Sequence, residues 1–148
     1  MNNKSAQISK ETLANDYREQ MKGKLNDAVI QKHVESLTAS SLTAYPATGS
    51  IAGLVICDIC KCTITATGQE FSGTAWGIST PGGGFLAGDV WTSDLNGLIA
   101  NTSSFQLVAT PVYTAFVFYD SNGNSLGSFQ AGSVSTIAAT AGGSGSWS

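Results

Sequence analysis

The chain has 148 residues, enough for one ordinary domain with a single core and too few for two. Charged residues make up only 11% of it, against about 25% in an average soluble protein, so its polarity comes from Ser, Thr, Asn and Gly. The net charge is −3, and six of the seven Lys and Arg precede residue 45, which leaves a nearly cation-free remainder and argues against binding to nucleic acid.

The sequence contains no run of eighteen or more apolar residues, so it predicts no transmembrane helix. The first residues, Met1 to Gln7, lack the apolar centre of a signal peptide, and none is visible in this chain. A composition low in charge and rich in Ser, Thr and Gly nevertheless favours a β-rich module that is secreted or exposed at a surface.

Residues 8 to 38 are predicted to be helical, with Ser9 as the N-cap and Glu11 in the first turn. Gly23 and Asn26-Asp27 could divide the segment into two helices. Because a helix repeats every 3.6 residues, a strict four-residue spacing spreads its apolar residues around the cylinder. That spacing is followed by Leu13, Tyr17, Met21, Leu25 and Val29.

We expect residues 1–45 to form a helical or disordered arm with a linker, and residues 46–148 to form the domain proper. The arm is expected to be mobile or to dock loosely on the domain. Two alternatives stay open: an amphipathic helix that lies on anionic lipid, and a tag for export or delivery.

A Ser/Thr/Ala-rich stretch over residues 36–50 predicts a linker. From Ile51 the apolar period becomes two, as is typical of strands. Residues 51–67 are long for one strand, so a bulge or bend is expected near Asp58-Ile59. Further strands are predicted over 70–80, 85–91, 103–109, 112–120, 125–135 and 137–140, with a closing strand at 144–148.

The cysteines Cys57, Cys60 and Cys62 lie within six residues. Thiolates at such spacing can ligate zinc, but a fourth ligand is missing nearby. On a strand, residues 60 and 62 share one face and residue 57 takes the other. We therefore expect buried structural thiols, with no metal and no cofactor; a metal or redox role is the alternative.

The strand pattern is interrupted at Ser93-Asp94, which is predicted to cap a short helix ending near Asn101. The segments on either side follow one pattern: residues 68–73 followed by 81–85 parallel residues 123–128 followed by 142–147. We predict a mainly β fold, a closed antiparallel barrel of about eight strands whose two pseudo-duplicated, Greek-key-like halves are joined by that helix.

Glycine runs punctuate both halves. Gly82-Gly83-Gly84 lacks the Lys-Ser/Thr of a phosphate loop and is predicted to be a hairpin loop. Residues 142–145 are predicted to be a flexible approach to the last strand.

Residues for catalysis are sparse in the predicted barrel, which contains no histidine. Its acidic residues, Asp58, Glu70, Asp89, Asp94 and Asp120, are scattered, and Asp94 and Asp120 have ready roles as helix cap and turn former. We expect no enzyme, with a paired-carboxylate glycosidase as the remaining enzymatic alternative.

The interior is expected to be filled by residues such as Phe116, Phe118 and Phe129 rather than to hold a cavity. The remaining large aromatics could stack on sugars or insert at membrane surfaces. The candidates for surface or ligand contact are Trp76, Trp91, Tyr113 and Trp147.

The second half of the chain carries the motifs Thr-Ser-Asp-Leu (92–95), Ser-Phe-Gln (104–106), Phe-Tyr-Asp-Ser-Asn-Gly (118–123), Gln-Ala-Gly-Ser-Val-Ser (130–135) and Gly-Gly-Ser-Gly-Ser-Trp (142–147). In type and order they resemble the virulence-associated (Vap) proteins of rhodococci. The resemblance runs from about Ile51 to Ser148, and none is seen before Pro46.

This resemblance implies a compact closed barrel and a non-enzymatic effector, secreted or delivered into a host compartment, that alters the phagosome or lysosome in which an intracellular bacterium persists. The expected partner is host membrane lipid or a host protein, and the expected state is a monomer. Two other functions stay open: a barrel module that binds small ligands or glycans, and a toxin-like effector with a host protein target.

Overall fold

The computed structural model describes residues 10–23, 26–38, 42–77, 81–109, 113–132 and 139–148. Helices α1 (Lys10–Met21) and α2 (Asp27–Leu37) precede the strands, and α3 (Leu95–Asn101) divides them. The strands are β1 (Thr43–Gly53), β2 (Cys57–Ile64), β3 (Glu70–Trp76), β4 (Gly82–Thr92), β5 (Ser104–Ala109), β6 (Tyr113–Tyr119), β7 (Ser125–Gly132) and β8 (Ala139–Trp147). The predicted cap Ser9, Leu25 and the strand ends predicted at 78–80 and 133–138 lie outside the described residues.

The eight strands close into a barrel in the order β1-β2-β3-β8-β5-β6-β7-β4, with every neighbouring pair antiparallel. Taken by halves, the order is 4-1-2-3 and 8-5-6-7, which is the Greek key in both cases. The β2–β3 and β6–β7 turns contain Gly68 and Gly123, with φ angles of 74° and 81°. The predicted barrel of two equivalent halves separated by a helix is confirmed.

Aromatic rings fill the interior of the barrel. Phe71 is central: its ring centroid lies 5.0 Å from that of Phe105, 4.9 Å from that of Phe118 and 5.7 Å from that of Trp147. Phe116 continues the cluster to Phe129 at 5.3 Å. These edge-to-face and tilted contacts are the geometry that aromatic pairs prefer, so the core is specified by shape as well as by burial.

The chain forms two strands where one bent strand was predicted. Leu54 to Ile56 make a tight turn, and Val55 has a φ angle of 77°, so residues 51–64 belong to the β1–β2 hairpin rather than to a strand with a bulge near Asp58-Ile59. The linker predicted over 36–50 is wrong from Thr43 onward, because Thr43 already pairs with Thr92 of β4.

Both glycine runs lie inside strands. Gly82 to Gly84 pair with Gly53, Ala52 and Ile51, and Gly142 to Gly145 lie in β8 between β3 and β5. The predictions of a hairpin loop and of a flexible approach are therefore wrong. Ladder hydrogen bonds to β1, and to β3 and β5, offset the low strand propensity of glycine at these positions.

The two N-terminal helices pack against the outer face of β5 and β6. Gly23, with a φ angle of 83°, lies between them, and the Asn26 side chain caps α2 by accepting from the Val29 amide at 2.9 Å, as the predicted division required. Their contact forms a second apolar core made of Ala14, Tyr17, Ile30, Val34, Val108, Tyr113, Ala115 and Val117. The helices thus pack on the barrel through this core, where a mobile or loosely docked arm was predicted. None of the helices in the described part of the chain could cross a bilayer.

Candidate functional site

The β1–β2 turn presents three consecutive aliphatic side chains to solvent. Leu54, Val55 and Ile56 are 52%, 49% and 64% exposed. The turn is closed by hydrogen bonds from the Leu54 amide to the Cys57 carbonyl at 2.8 Å and from the Ile56 amide to the Leu54 carbonyl at 2.9 Å. Tight turns normally use Gly, Asn or Asp, and a β-branched residue at positive φ is strained. Strain combined with apolar exposure indicates an interaction surface.

Two further apolar residues extend this surface along the barrel wall. Trp76 ends β3, is 61% exposed and pairs with Cys57, and the following residue, Gly77, donates its amide to the Ile56 carbonyl at 3.0 Å. Ile59 points outward from β2 and is 37% exposed. We call Leu54, Val55, Ile56, Ile59 and Trp76 together the apolar tip.

Few charged side chains lie beside the apolar tip along strand β2. Asp58 lies on the inward face of β2 and is fully buried, and the nearest cation along that strand is Lys61. Lys61 is also the only Lys or Arg after residue 45. Contact with an apolar partner therefore desolvates few charges, and electrostatic attraction to anions contributes little.

A shallow cleft of about 500 Å³ lies on the outer face of β1, β2 and β4, and no residue of the apolar tip lines it. Its floor is formed by the small residues Thr48 and Ser50, because Ser50 pairs with Lys61 on one side and with Phe85 on the other. Phe85, 82% exposed, forms one wall. Lys61 and Glu70 supply opposite charges to the cleft, so it offers an aromatic face beside hydroxyl and charged groups.

The predicted contact residues are dispersed. Trp76 lies in the apolar tip, and Trp91 is half-buried on β4. Tyr113 is fully buried beneath the helices, and Trp147, 8% exposed, packs in the barrel core against Phe71. Tyr113 and Trp147 are therefore interior residues, since one is covered by α1 and α2 and the other points into the barrel.

The sequence prediction missed the aliphatic turn and Phe85. The available signal was the unbroken apolar run of residues 54–57 within an otherwise alternating segment. Such a run is compatible with a buried strand, and only the pairing of β1 with β2 shows that it is a turn.

The cysteines are free and buried. Cys60 and Cys62 point into the barrel, and burial raises the pKa of both thiols far above the usual value, with the negative charges of Asp58 and Glu70 adding to the rise. Cys57 is buried at the mouth of the turn. Both core thiols are therefore neutral, and the described residues contain no group of three or more His, Cys, Asp or Glu placed to hold a metal.

Two of the barrel carboxylates, Asp94 and Asp120, have structural roles in the backbone. Asp94 caps α3 by accepting from the Gly97 amide at 3.0 Å. Asp120 accepts from the amides of Asn122 and Asn124 at 2.9 Å each, and these hydrogen bonds lower its pKa. Burial raises the pKa of Asp89, which lies on β4. The predicted structural roles of Asp94 and Asp120 are confirmed.

The comparison with known families agrees with the barrel and extends beyond it. The family model described as the Rhodococcus equi virulence-associated protein matches residues 2–148. The chain belongs to this family. Because the match includes α1 and α2, the family resemblance reaches further than the motifs after residue 51 indicated.

Two solved structures from the Vap family share the fold. The virulence-associated protein VapB from the intracellular pathogen Rhodococcus equi is 36% identical with a TM-score of 0.68, and the match covers 72% of this chain and 97% of VapB. VapD from the same organism is 31% identical with a TM-score of 0.70, covering 72% of this chain and 98% of VapD. No curated protein sequence matches. Membership of the Vap family supports a role related to virulence.

Proposed function

We propose that this Vap-family protein is a non-enzymatic virulence effector, secreted or delivered into the host, that alters the phagosomal or lysosomal compartment by contacting membrane lipid through the apolar tip. The observation that carries the proposal is the exposure of Leu54, Val55 and Ile56 at one end of the barrel beside Trp76. Transfer of aliphatic side chains out of water is favourable, and Trp favours the boundary between headgroups and acyl chains.

The expected contact is weak and reversible. Complete burial of one such side chain contributes about 1.5–3 kcal/mol, and roughly half of each surface is exposed here, so each residue adds on the order of 1 kcal/mol. A total of a few kcal/mol suits a peripheral protein that visits a membrane surface. With Lys61 as the single cation of the barrel sequence, binding should depend little on anionic lipid.

Co-sedimentation with vesicles tests this proposal. The full chain is mixed with phosphatidylcholine vesicles, with and without phosphatidylserine, at about pH 7.5 and about pH 5. The wild type should sediment with both compositions, the double variant Leu54→Ser/Ile56→Ser should stay in solution, and Phe85→Ser serves as the matched control because it removes an exposed apolar residue outside the tip.

Two outcomes contradict lipid contact through the tip. Absence of wild-type sedimentation under all conditions would leave a host protein as the partner of this surface. If Phe85→Ser and the double variant lose sedimentation with vesicles to the same extent, general surface hydrophobicity, rather than the apolar tip, drives the binding.

A second candidate function, recognition of a small ligand or glycan, is favoured by the cleft beside Phe85. An exposed aromatic ring can stack on the apolar face of a sugar, and the hydroxyls of Thr48, Ser50 and Thr63 with the charges of Lys61 and Glu70 match sugar hydroxyls. Chemical-shift titration with mannose, galactose and cellobiose tests it. Shifts confined to β1, β2 and β4 that disappear in Phe85→Ala but persist in Trp76→Ala would support the cleft, and unchanged spectra would exclude these sugars.

A further inference from the structure

The single histidine of the chain, His33, lies buried where α1, α2, β6 and the β6–β7 turn meet. Its Nδ1 is 2.9 Å from the Tyr17 hydroxyl, and its Nε2 is 3.3 Å from the Gly123 carbonyl oxygen. The Tyr17 hydroxyl is 2.7 Å from the Tyr119 hydroxyl, and the His33 and Tyr119 ring centroids are 4.9 Å apart. We call this chain of Tyr119, Tyr17, His33 and the Gly123 carbonyl the His33 relay.

The partners of His33 determine the direction of the relay. A carbonyl oxygen only accepts, so Nε2 carries a proton and donates to Gly123. In the neutral imidazole Nδ1 must then accept, so the Tyr17 hydroxyl donates to it and accepts in turn from the Tyr119 hydroxyl. Every proton in the relay has an acceptor when His33 is neutral.

A second proton on His33 reverses this order. Nδ1 would become a donor, the Tyr17 proton would have to turn toward Tyr119, and the Tyr119 proton would be displaced from the relay. The added charge would also lie in a buried interface, where an ion is costly without a counter-charge. Protonation therefore disfavours the docked arrangement on both counts.

The groups around His33 offer no compensation for that charge. From α1 and β6 it faces Tyr17 and Tyr119, and burial raises the pKa of both phenols, so both are neutral. From α2 it faces Lys32, which is also positive and donates to the Asn124 side chain at 3.1 Å. From the turn, Asp120 is engaged by the Asn122 and Asn124 amides. Burial lowers the pKa of His33 against the opposing effect of the Gly123 bond, and Lys32 lowers it further.

The relay holds the helices over an apolar surface. Val108, Tyr113, Ala115 and Val117 of β5 and β6 are all buried because α1 and α2 cover them. The described polar contacts between the helices and the barrel lie together at the β6–β7 turn. They join Tyr17 to Tyr119, Lys32 to Asn124 and His33 to Gly123. Loss of this cluster would remove the polar contacts described at that end of the interface.

We propose that α1 and α2 form an acid-released cover over the outer face of β5 and β6, with the His33 relay as the contact that responds to pH. This conformational change involves the protein alone and does not require lipid as its partner.

The sign of the effect follows from linkage between proton uptake and opening. Docking is fully stable above the ordinary histidine pKa of about 6.5. As the pH falls from there toward the lower pKa of docked His33, opening takes up one proton and becomes more favourable by up to about tenfold per pH unit. Below that lower pKa the effect levels off. The barrel after residue 45 has no histidine to titrate in this window.

Hydrogen exchange of the full chain at about pH 7.5 and about pH 5, corrected for intrinsic rates, measures the release. Amides of α1 and α2 should lose protection by roughly tenfold in acid while those of β1 to β4 keep theirs. Because the chain has one histidine, its ring proton resonance reports the His33 titration directly. The titration midpoint should lie below the ordinary value, and the loss of protection should level off near that midpoint.

The variant His33→Gln keeps a donor and an acceptor but cannot titrate, so its helices should have equal protection at both pH values. Lys32→Gln, the matched control, should keep the pH dependence. If His33→Gln leaves the helices undocked at both pH values, the wild type decides: a loss of helix protection that begins near the ordinary histidine pKa and levels off at the ring titration midpoint supports the proposal. The proposal is overturned if His33 titrates while the helices stay protected, or if His33→Gln loses protection in acid as the wild type does.

Discussion

Tyr17 and Tyr119 are 102 positions apart in the sequence, and their hydroxyl oxygens lie 2.7 Å apart. Tyr17 belongs to the first helix and Tyr119 ends the sixth strand, so this one hydrogen bond joins the N-terminal arm to the second half of the barrel. The arm is thereby part of the folded structure, and β6 is buried on both faces instead of one.

Removing the Tyr17 hydroxyl should weaken the docking of α1 and α2 on the barrel without unfolding the barrel. Tyr17→Phe loses the hydrogen bonds to His33 and Tyr119 and leaves the buried Nδ1 atom of His33 without its donor. Docking of the helices should therefore become less favourable by about 1–3 kcal/mol. Hydrogen exchange of α1 and α2 at neutral pH measures the loss. Gln31→Ala, which removes only exposed side-chain bonds, is the control, and equal protection in the two variants would contradict a stabilising role for the relay.

Gly73 should be required by the aromatic core. A β-carbon at this position would lie 2.7 Å from the Phe105 ring, 2.8 Å from the Phe71 ring and 2.8 Å from the Ser144 carbonyl oxygen. Gly73→Ala should therefore reduce the free energy of unfolding by about 1–3 kcal/mol through overpacking, as measured by urea denaturation. In Gly142→Ala the nearest atom belongs to the Gln106 side chain at 3.1 Å, which can move. A loss in Gly73→Ala no larger than in Gly142→Ala would disprove this account.

The fold class was accessible from the sequence because its turns and caps are local. Gly123 after Asp120 predicts the β6–β7 turn, Asp94 predicts the start of α3, and Gly23 before Asn26 predicts the break between α1 and α2. Each signal is a side chain or a glycine that satisfies the backbone within a few residues, so no tertiary information is needed.

The candidate surfaces were less accessible, because exposure depends on which strands become neighbours. Residues 54–56 look like strand until β1 pairs with β2, and Tyr113 looks like a surface aromatic until α1 and α2 cover it. The glycine runs at 82–84 and 142–145 look like loops because ladder pairing on long-range partners is invisible in the sequence. What was missed therefore depends on contacts between distant segments.

The buried thiols should be inert in the native protein. Burial raises the pKa of Cys60 and Cys62 far above the usual value, and the thiolate is the reactive species. In the folded chain at neutral pH these two should not react with a disulfide reagent such as Ellman's reagent, whereas all three cysteines should react after denaturation. Cys57→Ser isolates the two core thiols. Rapid reaction of the folded variant with Ellman's reagent would show that the inward face of β2 is open to solvent.

The Asp120 side chain should stabilise the β6–β7 turn as a carboxylate. It accepts from the backbone amides of Asn122 and Asn124, and these bonds lower its pKa, so the folded protein favours the charged form. A carboxylate whose pKa is lowered by folding contributes stability above its ordinary pKa, and that contribution is lost as the pH falls through the lowered value.

Asp120→Asn should therefore have a lower melting temperature than the wild type at neutral pH, and the difference should shrink as the pH is lowered below about 4. Thermal unfolding of both proteins across this range, with exposed Glu35→Gln as the control for general charge effects, measures it. A difference that stays constant with pH would show that the side-chain shape, and not its charge, holds the turn.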